Sequence, residues 1–238
     1  MGRLVLLQVT EGGQGAVFLR EQGALRTVRM HGSDVSVHQG AFFKVNLRAL
    51  YTNMGVQVGG TRFMGNTFPS SIQSLENVTF GPDVTSIGFA AFLNCKALPQ
   101  VSFPSSVKSI GQYSFQDSGL VSVDLSGVVS IGEGAFLRCT GMTSVMIPSS
   151  VTVVHRGAFQ ECTGVKTLRL GNSLTTIGVS AFRSLTSLED LDIPASVTNI
   201  SSSAFAYCSA LRTQISEGER QAEETRQKLR EERYRRQE

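Results

Sequence analysis

The sequence lacks the features by which membrane proteins and nucleic-acid-binding proteins are usually recognised. It has no Trp, only three His and four Cys, and 17% charged residues, where about a quarter is usual. The formal net charge is only +3, which is too weak to favour a nucleic-acid partner. No apolar run approaches the ~20 residues that a membrane-spanning helix needs. What remains is a chain of 238 residues, 41% of them hydrophobic, which is enough to bury a core.

What the sequence does contain is an internal repeat marked by phenylalanine. Nine of the 14 Phe recur at intervals of 21 to 26 residues, and Ala precedes six of them. The column consists of Phe18, Phe42, Phe68, Phe92, Phe115, Phe136, Phe159, Phe182 and Phe205. Recurrence at a fixed period predicts a repeat architecture, with about nine repeats in residues 1–216.

Two further columns run in phase with the phenylalanines. An apolar residue, usually followed by Gly, stands five residues before most of them, as in Ile87-Gly88 and Ile177-Gly178. A triplet of the form L-x-x-L-x-L ends about twelve residues before most of them. The triplets are Leu4/Leu7/Val9, Leu25/Val28/Met30, Tyr51/Met54/Val56, Leu75/Val78/Phe80, Leu98/Val101/Phe103, Leu120/Val123/Leu125, Met142/Val145/Ile147, Val165/Leu168/Leu170 and Leu188/Leu191/Ile193.

These columns predict an α/β solenoid. The last two apolar residues of each triplet alternate with period 2, which indicates a strand with one face toward a core. A Pro or Gly then ends the strand, as at Pro148 and Gly171. The stretch around each Phe predicts a short helical turn with the ring pointing inward. One repeat cannot bury its own apolar face, so copies must stack about 4.8 Å apart with their strands parallel.

The motif resembles the BspA-like (treponemal-type) leucine-rich repeat. The stretch Val145–Cys162 follows the pattern L-x-L-P-x-x-V-x-x-I-G-x-x-A-F-x-x-C, apart from Val154-His155 where Ile-Gly is usual. The resemblance is strong over residues 72–213 and weaker over residues 4–71. It implies a parallel sheet on the concave face, short helical or irregular turns on the convex face, and roles in protein binding and adhesion.

After residue 216 the composition changes abruptly. Residues 217–238 contain seven acidic and seven basic residues, several spaced i,i+4 with the acid first, as in Glu224–Lys228. This spacing predicts a charged helical tail. Two roles stay open: a cap on the end of the solenoid, or the start of a coiled coil, for which Ile215, Ala222 and Leu229 supply one apolar column.

The polar residues that could carry chemistry do not assemble into a catalytic or metal site. Each Cys follows a column Phe by three residues, so the four Cys share one column spread over several repeats, whereas a zinc site needs ligands that converge. We interpret this column as a small buried slot. His38 and His155 share another column, five repeats apart and beyond proton-transfer reach. The sequence therefore predicts no enzyme activity, no metal and no cofactor.

The residues between the triplet positions face away from the core and form the candidate binding surface. Most are short and polar, which suits a protein segment and leaves a glycan possible. Charge concentrates on two repeats, at Lys166, Arg169, Glu189, Asp190 and Asp192. In register, Lys166 pairs with Glu189 and Arg169 with Asp192. We expect these five residues to contact a partner.

Two functions follow from these expectations. The first is a non-catalytic scaffold that binds a protein partner on its concave surface. Its expected location is cytoplasmic, because the apolar run near residues 4–7 is too short for a signal peptide. The alternative is a cell-surface adhesin that binds a host or matrix protein or a glycan, with its amino end truncated in this chain.

Overall fold

The computed structural model describes residues 5–7, 27–31, 47–53 and 72–212. Its strands form two series, each contributing one short strand to a turn of the solenoid, here called a rung. The first strand series comprises Val5–Leu7, Thr27–His31, Ala49–Asn53, Asn77–Phe80, Gln100–Val101, Ser122–Val123, Ser144–Met146 and Thr167–Arg169. The second comprises Ser86–Ile87, Ser109–Ile110, Ser130–Ile131, Val153–Val154, Thr176–Ile177 and Asn199–Ile200.

Both series are parallel, as the stacking of repeats predicts. In the first, Val145 pairs with Leu168, and a single bridge carries the series on from Thr167 to Asp190. In the second, six strands form one sheet in which like residues pair, as Ile177 does with Ile200. The second strand ends at the apolar residue before the Gly column, so this position is both a strand and a bend. The fold is a parallel β-solenoid.

The predicted register is wrong in the first and third strands of the first series. Leu50 pairs with Val28 on one side and Val78 on the other, and Leu47 and Leu50 are both buried. The third triplet is therefore Leu47/Leu50/Thr52 rather than Tyr51/Met54/Val56, and Tyr51 lies in the outward column. In the first strand Val5, not Leu7, pairs with Val28. These errors are shifts of four and two residues. An even shift keeps the same side chains on the same face, so a pattern of period 2 cannot detect it.

The phenylalanine column forms the centre of the core. Six rings, from Phe92 to Phe205, stack on successive rungs with centroids 5.1–5.7 Å apart and planes within 14° of parallel. Phe115, Phe136, Phe159 and Phe182 are fully buried. The prediction for these six rings is confirmed; Phe18, Phe42 and Phe68 lie outside the described residues.

The predicted helical turns are not helices around the described phenylalanines of the column, Phe92 to Phe205. Within the described residues the only helix is a 3₁₀ turn at Ile72–Ser74. The reason is a left-handed backbone two residues before and two residues after each Phe, as at Gly134 (φ 58°) and Arg138 (φ 57°) around Phe136. A right-handed helix cannot run through such residues. Residues 217–238, predicted as a charged helix, lie outside the described residues.

The left-handed residues turn backbone N–H groups toward the next rung. Phe136 N–H donates to the carbonyl of Ala158 at 2.8 Å, and the N–H groups of Gly134 and Arg138 donate likewise to Arg156 and Gln160 at 2.9 and 2.8 Å. Three such bonds join each successive pair of rungs from 90–94 to 203–207. The Phe turns therefore carry a hydrogen-bond ladder of their own, although they contain neither helix nor strand.

Candidate functional site

The cysteine column fills a small slot that is buried at Cys95, Cys139 and Cys162, as predicted, and half-buried at Cys208. All four thiols are free, and those of Cys139, Cys162 and Cys208 donate to the carbonyl of the Phe one rung earlier, at 3.0, 3.0 and 3.3 Å. Burial raises the pKa of Cys95 and Cys162 well above the usual value for a thiol. A thiol with a raised pKa is a poor nucleophile and a poor metal ligand; this applies to Cys95 and Cys162, whereas hydrogen bonds with Cys162 and Ser118 lower the pKa of Cys139. These hydrogen bonds give the cysteines a structural role.

Other polar groups are also spread along the stack. Within residues 72–212 and the shorter described segments, no group of three His, Cys, Asp or Glu is placed to hold a metal ion. His155 is exposed, and His38 lies outside the described residues. No helix in the described part of the chain is long and apolar enough to cross a membrane.

One ion pair, at the Phe turns, has two-point geometry. Arg138 donates from Nε and Nη2 to the two carboxylate oxygens of Asp117 on the preceding rung, at 2.7 and 2.8 Å. Gln116 donates to the same carboxylate at 3.0 Å. The hydrogen bonds from Arg138 hold the pKa of Asp117 below its usual range. The pair links two rungs and satisfies its own charges, so we interpret it as structural.

The outer face of the first strand series presents exposed side chains that are candidates for binding. Alternate residues of its strands are exposed, as Ser144 and Met146 are on either side of buried Val145. Met146 is 65% exposed, and it stands in a column that is otherwise polar or charged on the neighbouring rungs. In the direction of the chain that column reads Asp124, Met146, Arg169 and Asp192, which we call the Met146 strip.

The five residues predicted to contact a partner are exposed on the last two rungs of this face. Lys166, Arg169, Glu189, Asp190 and Asp192 all have exposed side chains. The register places Arg169 beside Asp192, since Thr167 bridges to Asp190. The predicted ion pairs do not form: neither Lys166 with Glu189 nor Arg169 with Asp192 is among the described ion pairs within 4.0 Å, which are Arg48–Glu76, Arg138–Asp117 and Arg156–Glu133.

Two of the five residues line an open groove with a volume of about 540 Å³. Arg169 and Asp192 supply its charges, and Asn172 and Ser196 add an amide and a hydroxyl. The Ser196 hydroxyl is buried and has no hydrogen-bond partner among the described residues. The groove is lined by Leu168, Arg169, Leu170, Asn172, Asp192, Pro194, Ala195 and Ser196. It therefore combines unpaired polar groups with a partly apolar floor.

The sequence pattern does not single out Met146. The residue lies between the triplet positions Val145 and Ile147, so it faces outward, but it carries no charge. A signal was available: Met146 is an apolar residue at an outward position whose neighbouring rungs carry Asp124 and Arg169. The predicted triplet Tyr51/Met54/Val56 would place Asn53 and Gly55 at the outward positions of the third rung, whereas strand pairing places Ala49 and Tyr51 there.

Comparison with known proteins agrees with the fold. The chain is similar in structure to a leucine-rich cell surface protein from Faecalibacterium prausnitzii A2-165, with 26% identity and a TM-score of 0.55 over 83% of this chain. It spans only 45% of that protein's length. It is also similar to the leucine-rich repeat protein of T. pallidum, with 27% identity and a TM-score of 0.57, over 69% of this chain and 78% of the other.

Sequence comparison gives the family. No curated protein matches the chain significantly. A family model described as the BspA type leucine-rich repeat region matches six copies, over residues 61–152 and 129–220. Because the matched residues cover more than half of the 238-residue chain, the protein belongs to the BspA-type leucine-rich repeat family.

Proposed function

We propose that this protein is a non-catalytic interaction scaffold that binds a protein partner on the outer face of the first strand series. The observation that carries the proposal is the Met146 strip. It places a side chain that is 65% exposed between Asp124 and Arg169, with Asp192 beyond. The family, in which repeats commonly serve protein interaction, supports it.

The chemistry of the strip suits a protein surface. A methionine side chain is flexible and polarisable, so it adapts to irregular apolar surfaces and is common at binding sites. Arginine is enriched among the residues that dominate interface energies, and the side chain of Arg169 is not held by Asp192. Most of the surrounding outward residues are short and polar, such as Ser102, Ser122 and Ser144. The strip therefore offers one apolar anchor among exposed charges, of which Arg169 and Asp192 are in none of the described ion pairs.

The strip also specifies what a partner should present. Strand spacing of ~4.8 Å places its four residues along about 14 Å. A complementary segment carries an apolar side chain over Met146, an acidic group near Arg169 and basic groups near Asp124 and Asp192. Complementary charge determines partner choice and association rate more than affinity.

The scaffold proposal includes the absence of catalysis. Functional sites gather groups with shifted pKa values in a cleft. Here the shifted groups are buried cysteines and members of rung-to-rung contacts such as Asp117–Arg138. None of the groups with a shifted pKa lines the Arg169–Asp192 groove.

The test is to capture the partner by crosslinking in the native cell and to compare variants of the full chain. Met146→Asp places a charge on the anchor, and Arg169→Glu reverses a charge of the strip. Each is expected to weaken partner binding at least tenfold, because loss of a hot-spot residue at the centre of an interface costs about 2 kcal/mol or more and 1.4 kcal/mol is a factor of ten. Ser102→Asp, in the same column two rungs earlier, is the control and should change binding less than twofold. Equal binding by all three variants would show that the partner binds elsewhere.

A second candidate function is a cell-surface adhesin, and the similarity to a bacterial leucine-rich cell surface protein favours it. The two candidates differ in location, since the scaffold is expected in the cytoplasm. Intact native cells treated with a protease that does not enter them would separate the two. Loss of the chain supports the adhesin, and survival of the chain until lysis supports the scaffold.

A further inference from the structure

The carboxyl-terminal rung of the described solenoid is incompletely covered. Ile200, at the end of the second strand series, is 48% exposed, whereas its neighbour Ile177 on the preceding rung is fully buried. Ile193 and Tyr207 are also exposed, at 38% and 68%, and Phe205 is only half-buried although Phe182 is fully buried. We call this surface the end face; it comprises Ile193, Ile200, Ser203, Phe205 and Tyr207.

The end face also presents hydrogen-bond donors. On the preceding rung, the N–H groups of Ser180, Phe182 and Ser184 donate to carbonyls of the last rung at 3.1, 2.9 and 2.8 Å. The equivalent groups are those of Ser203, Phe205 and Tyr207, and they have no acceptor among the described residues. Ser203 and Tyr207 keep the left-handed backbone of the earlier rungs, with φ of 58° and 62°. Their N–H groups therefore point out of the stack.

This combination specifies the chemistry of a covering segment. Unpaired backbone N–H groups that point the same way attract anionic oxygens. A bond from such a group to a carboxylate is about twice as strong as one to a neutral acceptor. A second copy that met this rung through the same end face would oppose donors to donors. The end face therefore fits a segment that brings carboxylates together with a few apolar side chains.

The chain supplies such a segment directly after the last rung. Residues 213–224 contain four acidic residues and one basic residue, together with Ile215 and Ala222. Arg212 N–H donates to the Glu189 carbonyl at 3.0 Å, which places the start of this segment at the edge of the first strand series. Tyr207 and Arg212 are five positions apart along the chain, so they lie at most ~18 Å from each other. The twelve residues 213–224 span up to ~40 Å when extended, so the segment is long enough to reach the end face.

We propose that residues 213–224 dock on the end face. Their carboxylates accept hydrogen bonds from the N–H groups of Ser203, Phe205 and Tyr207, and Ile215 adds apolar cover beside Ile200. The basic residues after position 225 stay in solvent. Docking continues the ladder of the Phe turns by one further layer and does not involve the Met146 strip.

The test is amide hydrogen exchange, followed by NMR on the full-length chain. We expect the amide of Phe205 to exchange at least tenfold more slowly than an unprotected amide. A variant in which Glu217, Glu219, Glu223 and Glu224 are all Ala should lose that protection. The matched control replaces Arg226, Lys228, Arg230 and Arg233 by Ala and should keep it. Raising the salt concentration from 0.05 to 1 M should speed exchange in the parent chain and leave the acid-deficient variant unchanged.

Three results would overturn the proposal. The first is an unprotected Phe205 amide in the parent chain. The second is equal protection in the acid-deficient variant, which would assign the cover to another segment. The third is protection that rises with protein concentration together with a doubled molar mass in light scattering, which would assign the cover to a second copy. Partner binding at Met146 is a separate measurement, so failure of either proposal leaves the other standing.

Discussion

Ser114 and Ser118 lie on one rung, are both buried, and should respond to alanine substitution with opposite signs. Ser114 is 0% exposed, and its hydroxyl has no hydrogen-bond partner among the described residues. Its carbonyl accepts a bond from Phe92 N–H at 2.6 Å, which alanine preserves. Alanine is already buried at this position on the other rungs, at Ala91, Ala135, Ala158, Ala181 and Ala204.

The magnitude follows from the hydroxyl alone. A buried hydroxyl without a partner costs about 1–3 kcal/mol in mutational data. The space left by one oxygen atom, roughly 10 Å³, costs only about 0.2 kcal/mol at the known cavity coefficient. Ser114→Ala is therefore expected to stabilise the fold by about 1 kcal/mol. For a protein of this size that gain raises Tm by about 2–4 °C.

Ser118→Ala is the matched control. Ser118 is 5% exposed and its Oγ lies 3.2 Å from Cys139 Sγ. Because Cys139 donates its own proton to the Phe115 carbonyl, the Ser118 hydroxyl is the donor to the sulfur. The substitution removes that bond and leaves a small space, so it should destabilise the fold by about 1 kcal/mol.

Urea unfolding followed by circular dichroism measures both changes, since the chain has no Trp for fluorescence. The comparison uses the midpoint at an unchanged m value. If Ser114→Ala lowers the midpoint, or if both variants move it in the same direction, then the unpaired hydroxyl is not a cost and the reasoning fails.

Three other predictions concern stability. Phe136→Ala removes the middle of the ring stack and should cost about 3–5 kcal/mol, measured in the same urea assay; a loss below 1 kcal/mol would show that the stack contributes little. Gly134 and Gly157 both have a φ of +58°, so alanine strains the backbone at either position. Only at Gly134 would the new Cβ also lie 2.4 Å from the Tyr113 ring, so Gly134→Ala should have a lower Tm than Gly157→Ala. Equal Tm values would contradict this. Asp117→Asn removes a carboxylate whose pKa is lowered by Arg138. The variant should therefore lose less stability than the parent as pH falls below about 4, and the difference should be under 1 kcal/mol because the pair is partly exposed. Parallel curves of unfolding free energy against pH for the two proteins would contradict this.

The sequence predicted the elements that depend on side-chain periodicity. Phe136 and its column were predicted to lie in the core because an apolar residue that recurs once in every repeat faces the same way on every rung. Periodicity of this kind did not determine which pair among Leu47/Leu50 and Tyr51/Met54 enters the core, because both have the same spacing and face. The choice is made by strand pairing with Val28 and Val78, which is a tertiary contact.

The Phe turns were mispredicted for a different reason. Ala before Phe favours a helix, but the residues that prevent a helix are left-handed and of many types, including Ala90, Asp117 and Tyr207. Residue type therefore gives little indication of this left-handed backbone conformation. The rung-to-rung hydrogen bonds offset the strain, which is of order 1 kcal/mol or more per residue.

The candidate site was only partly predictable. Arg169 and Asp192 were predicted from their charge to contact a partner, and both line the groove. The sequence also predicted that their charges would pair, and the register does place them side by side. Whether neighbouring side chains meet depends on rotamers, which a sequence pattern does not record. Met146 is a different case. Its residue type predicts burial, and its exposure follows only from its outward position on the strand.

The ladder of the Phe turns has an electrical polarity of its own. Three peptide groups on each rung from 90–94 to 180–184 point their N–H groups toward the carboxyl end of the stack. Their dipoles add along the axis as they do in an α-helix, whereas those of the strands largely cancel. The sign is opposite to that of a helix, since the carboxyl end is positive. Every further repeat lengthens this ladder, so the dipole of the Phe turns grows with the length of the array.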